Sequence, residues 1–316
     1  MQHNAGVQPA VFMPPKDFIH FSLQRHTLPR VIWYNRRHKK AHAVHARHDF
    51  ASGGRNVTRV EKITLRKYRM VSQDLPAAFD GTTVAFLSDI HHSRSFPLGR
   101  VKELVALTNG LHADLVLLGG DYVSHSRAHI PSFFREAAAL TAPFGVYGVL
   151  GNHDRNTDAE LSEQCMRQAG IRSLDNQGYW LEKGGARIRV GGVADLTTAT
   201  QDLSPMLAET RPNDFMILVS HHPDYAEQLP FSLIDLMLCG HTHGGQVSLL
   251  GKWAPTGFMP SRFKLKYLTG VIKNAGTTVI VSNGIGTVGP PVRIWAAPQI
   301  WLITLCADRR RTNRSF

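Results

Sequence analysis

Val84-Ala85-Phe86-Leu87-Ser88-Asp89-Ile90-His91 is the stretch on which the fold turns. Four apolar residues in a row read as a buried strand, and the run closes on a carboxylate and an imidazole two residues apart. Just past a strand end the chain turns, so both side chains can converge on one point. A carboxylate and an imidazole so placed suit a borderline cation such as Mn, Fe or Zn. Asp-x-His alone is weak, because chance supplies it often. Its weight comes from four further segments of the same build. Residues 115–118 close on Gly119-Gly120-Asp121, and residues 146–150 on Gly151-Asn152-His153-Asp154. Residues 216–220 close on His221-His222-Pro223, and residues 236–239 on Gly240-His241-Thr242-His243-Gly244-Gly245-Gln246.

Between these runs the period changes. Residues 63–70 alternate as a half-exposed strand, and residues 98–111 repeat apolar positions at helical spacing before Asn109-Gly110 ends the pattern. Residues 130–140 and 158–168 also read as helices, the second ended by Gly170. Downstream the order becomes strand-rich. Residues 179–181 and 186–191 predict a hairpin around Lys183-Gly184-Gly185, and two late strands at 278–282 and 300–305 flank a glycine- and proline-rich loop. Strands alternating with helices, then strands in clusters, predict an α/β fold of two sheets packed face to face with helices outside. Polar residues gathered at strand ends agree with where open α/β sheets place their sites.

The chain has 316 residues, long enough to bury a sizeable core, and its three cysteines show no paired spacing. Its net charge of +12 is uneven. Residues 1–60 hold ten Lys/Arg against two Asp/Glu, residues 308–316 hold four Arg against Asp308, and residues 61–307 hold 22 against 21. The body is nearly neutral. The division expected is therefore a basic, flexible N-terminal extension over 1–58, a domain over 59–307 and a basic tail over 308–316. The extension reads as a solvated tail, as a segment lying on an anionic membrane through Ile32, Trp33 and Tyr34, or as a non-specific nucleic-acid contact. His38, His42, His45 and His48 have helical spacing but no accompanying carboxylate or cysteine. No apolar run approaches the roughly 20 residues of a membrane span. Arg36-Arg37 is followed by His38-Lys39-Lys40-Ala41-His42 rather than an apolar core, so it is not read as an export signal.

The five strand ends together supply two carboxylates, one amide oxygen and four imidazoles, with His153 left for another role. That count fits two metal ions sharing a bridging carboxylate. The order Asp-x-His, Gly-Asp, Gly-Asn-His-Asp, Ser-His and Gly-His-Thr-His resembles the calcineurin-like metallophosphoesterase superfamily over residues 60–306. The Gly-His-Thr-His-Gly-Gly-Gln run and Ser-Asn-Gly-Ile-Gly-Thr at 282–287 are similar to its bacterial branch of small phosphodiesterases, which includes a UDP-2,3-diacylglucosamine pyrophosphatase type.

The resemblance implies a four-layer sandwich of two mixed β-sheets flanked by helices. It implies one metal on Asp89, His91, Asp121 and His243, a second on Asp121, Asn152, His221 and His241, and His153 as the catalytic histidine. Two cations roughly 3.5–4 Å apart would neutralise the anionic ester and acidify a bridging water. His153 would serve the departing oxygen, oriented by Asp154. His222, before Pro223, is expected to point away.

Protein phosphatases of this superfamily carry Gly-Asp-x-Val-Asp-Arg-Gly, whereas this chain reads Gly120-Asp121-Tyr122-Val123-Ser124-His125, which argues against that activity. Arg94, Arg262, Lys264 and Lys266 are either surface charge or a phosphate grip. Phe258, Phe263, Leu265 and Tyr267 are either an acyl or base pocket or a small satellite core.

The function expected is hydrolysis of a phosphodiester or pyrophosphate bond using two divalent ions (Mn, Fe or Zn). The substrate expected is a lipid-linked nucleotide such as UDP-2,3-diacylglucosamine, met from the cytoplasm at the inner membrane face. The alternatives are a nuclease, for which the neutral body lacks a basic groove, and a non-catalytic membrane- or nucleic-acid-binding protein.

Overall fold

In the computed structural model, which describes residues 62–229, 232–250, 253–254 and 260–308, the opening stretch forms strand β2 (Thr83–Leu87). Val84 and Phe86 enter one buried cluster while Ala85 and Leu87 enter another. Successive strand residues face opposite ways, so a strand buried on both sides lies inside a covered sheet. β3 (Leu115–Leu118) behaves identically, with Leu115 and Leu117 on the first side and Val116 and Leu118 on the second.

Twelve strands among the described residues form two six-stranded sheets. The first comprises β1 (Thr64–Ser72), β12 (Gln299–Ala307), β2, β3, β4 (Val146–Gly148) and β5 (Arg172–Ser173), in that order. β2 to β5 run parallel, and β12 is antiparallel to β2. The second comprises β10 (Gly270–Asn274), β11 (Thr277–Val281), β9 (Leu236–Cys239), β8 (Met216–Val219), β7 (Ala186–Gly192) and β6 (Gln177–Lys183). Its four inner strands are parallel, with β10 and β6 antiparallel at the edges. Val84, Phe86, Leu115 and Leu117 meet Val190, Ile217, Leu238 and Ile280 between the sheets. Helices α1 (Leu98–Asn109), α2 (His129–Ala137) and α3 (Asn152–Gln168) cover the outer face of the first sheet through Val101, Leu104, Phe133, Phe134 and Met166. The outer face of the second sheet is covered by the single turn α4 (Ser204–Leu207) and by 3-10 turns that include Pro223–Glu227 and Lys264–Tyr267. The architecture is the expected two-sheet α/β sandwich with flanking helices.

The structure departs from the sequence reading in detail. α3 begins at Asn152, six residues before the expected start, and breaks at Asp158, whose φ of −175° and ψ of 97° are extended. Asp158 Oδ1 accepts from Leu161 N at 2.9 Å, so the expected helix is the second of two segments with its own cap. β5, β10 and α4 had no sequence signal strong enough to predict them. The readings placed on residues 1–58, on 309–316 and on Phe258 lie outside the described residues.

A polar tie crosses between the sheets at the end of β1. Ser72 Oγ, at the end of β1, donates to Asp235 Oδ1 at 2.8 Å, and Met216 N donates to Asp235 Oδ2 at 2.9 Å. Burial raises the Asp235 pKa to about 6. A carboxyl raised above its unfolded value holds more protons folded than unfolded, so its stabilising contribution is present in acid and lost as pH rises through about 6. Asparagine can bond both partners without that titration. In the chelated protein, Tm of Asp235→Asn is expected to fall less than wild type between about pH 5 and pH 7.5, by a few degrees in differential scanning calorimetry. Parallel melting curves across that range would refute the assignment.

Candidate metal centre

All the residues predicted as ligands come to one end of the sandwich, at the C-terminal ends of β2, β3, β4, β8 and β9. Their backbone is unusual there. Asp89, His91, Asp121, His241 and His243 have φ between 51° and 72°, in the left-handed region that bulky residues avoid. Each such residue costs of order 1 kcal/mol or more, and such strain clusters at functional sites. Parallel loops fix it: Asp89 N donates to Gly120 O at 2.9 Å, and His91 N to Asp121 O at 3.0 Å. The 282–287 segment lies beneath, where Gly286 N donates to Asp89 O at 2.7 Å. Close approach dictates two of the glycines. A Cβ on Gly151 would collide with Asp121 Oδ1, and one on Gly240 with Asp89 Oδ2.

The donor atoms form two adjoining groups. In one, His91 Nε2 lies 3.1 Å from His243 Nε2 and 3.5 Å from Asp121 Oδ2, and His243 Nε2 lies 3.6 Å from Asp89 Oδ1. In the other, His221 Nε2 lies 3.2 Å from Asp121 Oδ2, 3.1 Å from Asn152 Oδ1 and 3.2 Å from His241 Nδ1. Asp121 Oδ2 belongs to both. Asp89, His91, Asp121, His221 and His243 are buried, and Asp89 Oδ2 finds no hydrogen bond of good geometry. Buried carboxylate oxygens and imidazole nitrogens converging within 3.1–3.6 Å fit a divalent cation, and the mixed N/O donor set suits Mn, Fe or Zn.

The electrostatics agree. Burial lowers the His91 pKa to about 3 and takes His241 and His243 well below the usual imidazole range, so these rings are neutral and offer lone pairs. Burial raises Asp89 to about 6. Burial would also raise Asp121, but the charge and hydrogen bond of His221 outweigh it and hold that carboxyl low. His221 moves well above its usual value, with Asp121 overriding burial. A proton on His221 thus compensates Asp121 in the space where a cation would.

Second contacts aim the rings. His221 Nδ1–H donates to Gly119 O at 2.7 Å, leaving Nε2 for the cluster. His241 N donates to Asp89 Oδ1 and His153 N to Asp121 Oδ1, each at 2.8 Å. His153 Nδ1–H donates to Ser124 O at 2.9 Å, which leaves Nε2 as the nitrogen not engaged by the loop. Asp154 therefore does not orient His153, contrary to expectation. It accepts from Tyr122 N, Val123 N and Gly151 N and so ties the second motif to the third. Burial, with Asp121 nearby, raises Asp154 to about 8. Both nitrogens of His222 are engaged away from the cluster, by Asp224 N and Pro260 O, as its place before proline suggested.

Two contributors escaped the sequence reading. Arg293, buried in the glycine- and proline-rich loop, approaches His243 Nδ1 through Nη2 at 3.2 Å and donates to His243 O and Ala296 O. Nothing around it distinguished that arginine from surface charge. His125 is exposed, with its ring 4.9 Å from that of His153. Asp121, Asn152, His153, His241 and His243 border a cleft of about 620 Å³, whose remaining wall includes Val247, Pro260, Val288 and Pro290. No Lys or Arg is among its described lining residues, so Arg94, Arg262, Lys264 and Lys266 are not brought to it. Lys266 pairs with Glu227, which also accepts from the Tyr267 hydroxyl. Phe263 and Leu265 are exposed, and Tyr267 is buried beside the second sheet.

The profile of the calcineurin-like phosphoesterase family matches residues 82–245. The metallophosphoesterase YkuE of Bacillus subtilis strain 168, itself uncharacterized, is 29% identical over 251 residues, covering 77% of this chain and 85% of its own. The phosphodiesterase YaeI of Escherichia coli strain K12 is 30% identical over 228 residues, covering 70% and 81%. Among solved structures, TT1561 of Thermus thermophilus superposes with a TM-score of 0.44 at 12% identity, covering 64% of this chain and 89% of that one.

Outer contacts to a ligand imidazole typically change metal affinity 10–100-fold. Arg293→Lys keeps the charge but loses the fork that ties His243 O to Ala296 O and Gly286 O. Its Mn affinity is expected to fall about tenfold or more by isothermal titration, with an unchanged far-ultraviolet circular dichroism spectrum. Unaltered affinity would show that Arg293 supports the loop alone.

Proposed function

The chain belongs to the calcineurin-like phosphoesterase family and is a phosphoester hydrolase; on that premise we propose that it cleaves a phosphodiester or pyrophosphate bond at a dinuclear centre. Asp89, His91, Asp121 and His243 would hold one divalent ion, and Asp121, Asn152, His221 and His241 the other. The observation that carries this reading is the position of Asp121 Oδ2, 3.5 Å from His91 Nε2 and 3.2 Å from His221 Nε2, common to both donor groups. Asn152 adds a neutral oxygen, which keeps the site from accumulating negative charge. Bound divalent ions would supply Lewis-acid neutralisation of the phosphoryl oxygens and activation of water.

The chain's own groups do the rest. The hydrogen bond from His153 Nδ1 to the Ser124 carbonyl fixes the tautomer. Nε2 can then present a proton to the departing oxygen, provided the ring is protonated before the step. The Asp121 carboxylate, which accepts from His153 N through Oδ1, sets the distance between that ring and the metal groups. The apolar cleft wall excludes water from one side of the bound ester and suits an amphipathic substrate.

A lipid-linked nucleotide such as UDP-2,3-diacylglucosamine is the substrate class this reading favours. The apolar wall supports it, and the basic segment over residues 1–58 would provide contact with an anionic membrane. A nuclease is the weaker reading, because the described lining of the cleft offers no cationic groove for a nucleic-acid backbone.

Metal-stripped protein is expected to hydrolyse bis-p-nitrophenyl phosphate only when Mn, Fe or Zn is restored, and to prefer it to the monoester. The Asn152→Ala, His153→Ala double variant should lose about 100-fold or more in kcat/KM. A metal-loaded wild type inert toward both esters would remove the phosphodiesterase assignment.

A further inference from the structure

The rim of the cleft carries large apolar side chains in water. Leu250 is 68% exposed, Trp295 58%, Leu249 52% and Trp253 50%, with Val292 and Ile294 also exposed. Main-chain bonds tie several of them together. Val247 bridges Ile294, and Leu249 bridges Trp253 through reciprocal hydrogen bonds. Ser248 N donates to Ile294 O at 3.0 Å, and Ile294 N to Gln246 O at 2.9 Å. These bonds tie the described parts of the two loops into one ribbon whose bulky side chains are exposed. Leu250 and Trp295 hold φ of 55° and 53°, a conformation unfavourable for large side chains. The ribbon is continuous with the cleft, since Val247 and Gln246 line both.

An exposed apolar rim needs an occupant, and charge identifies it. Residues 236–307 contain no Asp or Glu, against six Lys/Arg, of which Arg293 is buried and Lys266 is paired with Glu227. Arg262 and Lys264 are exposed, alternating with exposed Phe263 and Leu265, in the segment that follows the cleft residue Pro260. Apolar and aromatic side chains at the mouth, with exposed Arg262 and Lys264 in a stretch of chain that itself contains no acidic residue, match the boundary between headgroups and acyl chains of an anionic bilayer.

We propose that this rim docks on an anionic lipid surface, so that the cleft opens against the membrane. The inference goes beyond the hydrolytic reading and does not require the substrate to be lipid-linked. It also assigns membrane contact to the catalytic domain itself, separately from residues 1–58.

The test uses the full chain in a Trp33→Phe background, which removes the indole of the N-terminal segment. The protein is mixed with vesicles of phosphatidylcholine alone or with phosphatidylglycerol, carrying brominated acyl chains. Tryptophan emission is expected to shift to shorter wavelength and be quenched on the anionic vesicles, and a further Trp253→Phe, Trp295→Phe change should abolish the quenching. Leu250→Asp with Trp295→Asp is expected to weaken vesicle partition at least about tenfold, since each substitution removes a large apolar contact. Turnover of a soluble diester should be unchanged, which separates failure of docking from failure of the hydrolytic reading. Vesicle binding without quenching would overturn the proposal and leave contact to residues 1–58. Absence of binding to either vesicle would overturn it too. So would a wild-type dimer in sedimentation equilibrium that the Asp variant converts to monomer, because a second copy would then cover the rim.

Discussion

Two carboxylates withdrawn from water at the seam between two sheets are the constraint from which the rest of the structure follows. Asp89 and Asp121 are buried, and unpaired burial of such charge is among the costliest arrangements a fold can hold. The chain surrounds them with donors that are neutral at ordinary pH and can share a cation, while His221 carries the compensating proton beside Asp121. Five left-handed residues, glycines with no room for a Cβ, and the 282–287 segment beneath Asp89 serve that arrangement. Strain that would be puzzling in a surface loop is intelligible where it directs a ligand.

The sandwich explains why such a site can be assembled. Parallel strands deliver their C-terminal ends to one edge, and packing two such sheets face to face brings five of those ends together. Asp89, Asp121 and Asn152 come from the first sheet, and His221, His241 and His243 from the second. The two donor groups each draw on both sheets, so a bound cation would also tie the sheets together across their seam. Ser72 and Asp235 provide a purely protein-made tie elsewhere.

Much of this was legible in the residues. Unbroken apolar runs predicted the doubly buried strands because burial on both faces removes the alternation that solvent would impose. Motifs at their ends predicted the cluster, and all eight named site residues are in it or beside it. The misses have physical causes. α3 was expected too late because Asn152, His153 and Asp154 read as turn residues, and the Asp154 bond to Gly151 N that caps the first turn is a spatial fact. Arg293 could not be found because its partners are main-chain carbonyls and a histidine fifty residues away. β5, with two residues, is too short to carry a period. Left-handed backbone at Asp89 or His91 has no composition signal, since glycine is its usual mark.

The partner of His153 has a consequence for how this site can change over generations. A side-chain acceptor can be lost or exchanged by one nucleotide change, and the tautomer with it. Here the acceptor is the carbonyl of residue 124, which every amino acid possesses. Replacing Ser124 would forfeit its hydroxyl contact with His91, yet the proton on His153 Nδ1 would stay where it is. The tautomer is inherited through the course of a loop rather than the identity of a residue. A substitution at position 125 would remove a ring beside His153, yet it would leave the carbonyl that sets the tautomer in place.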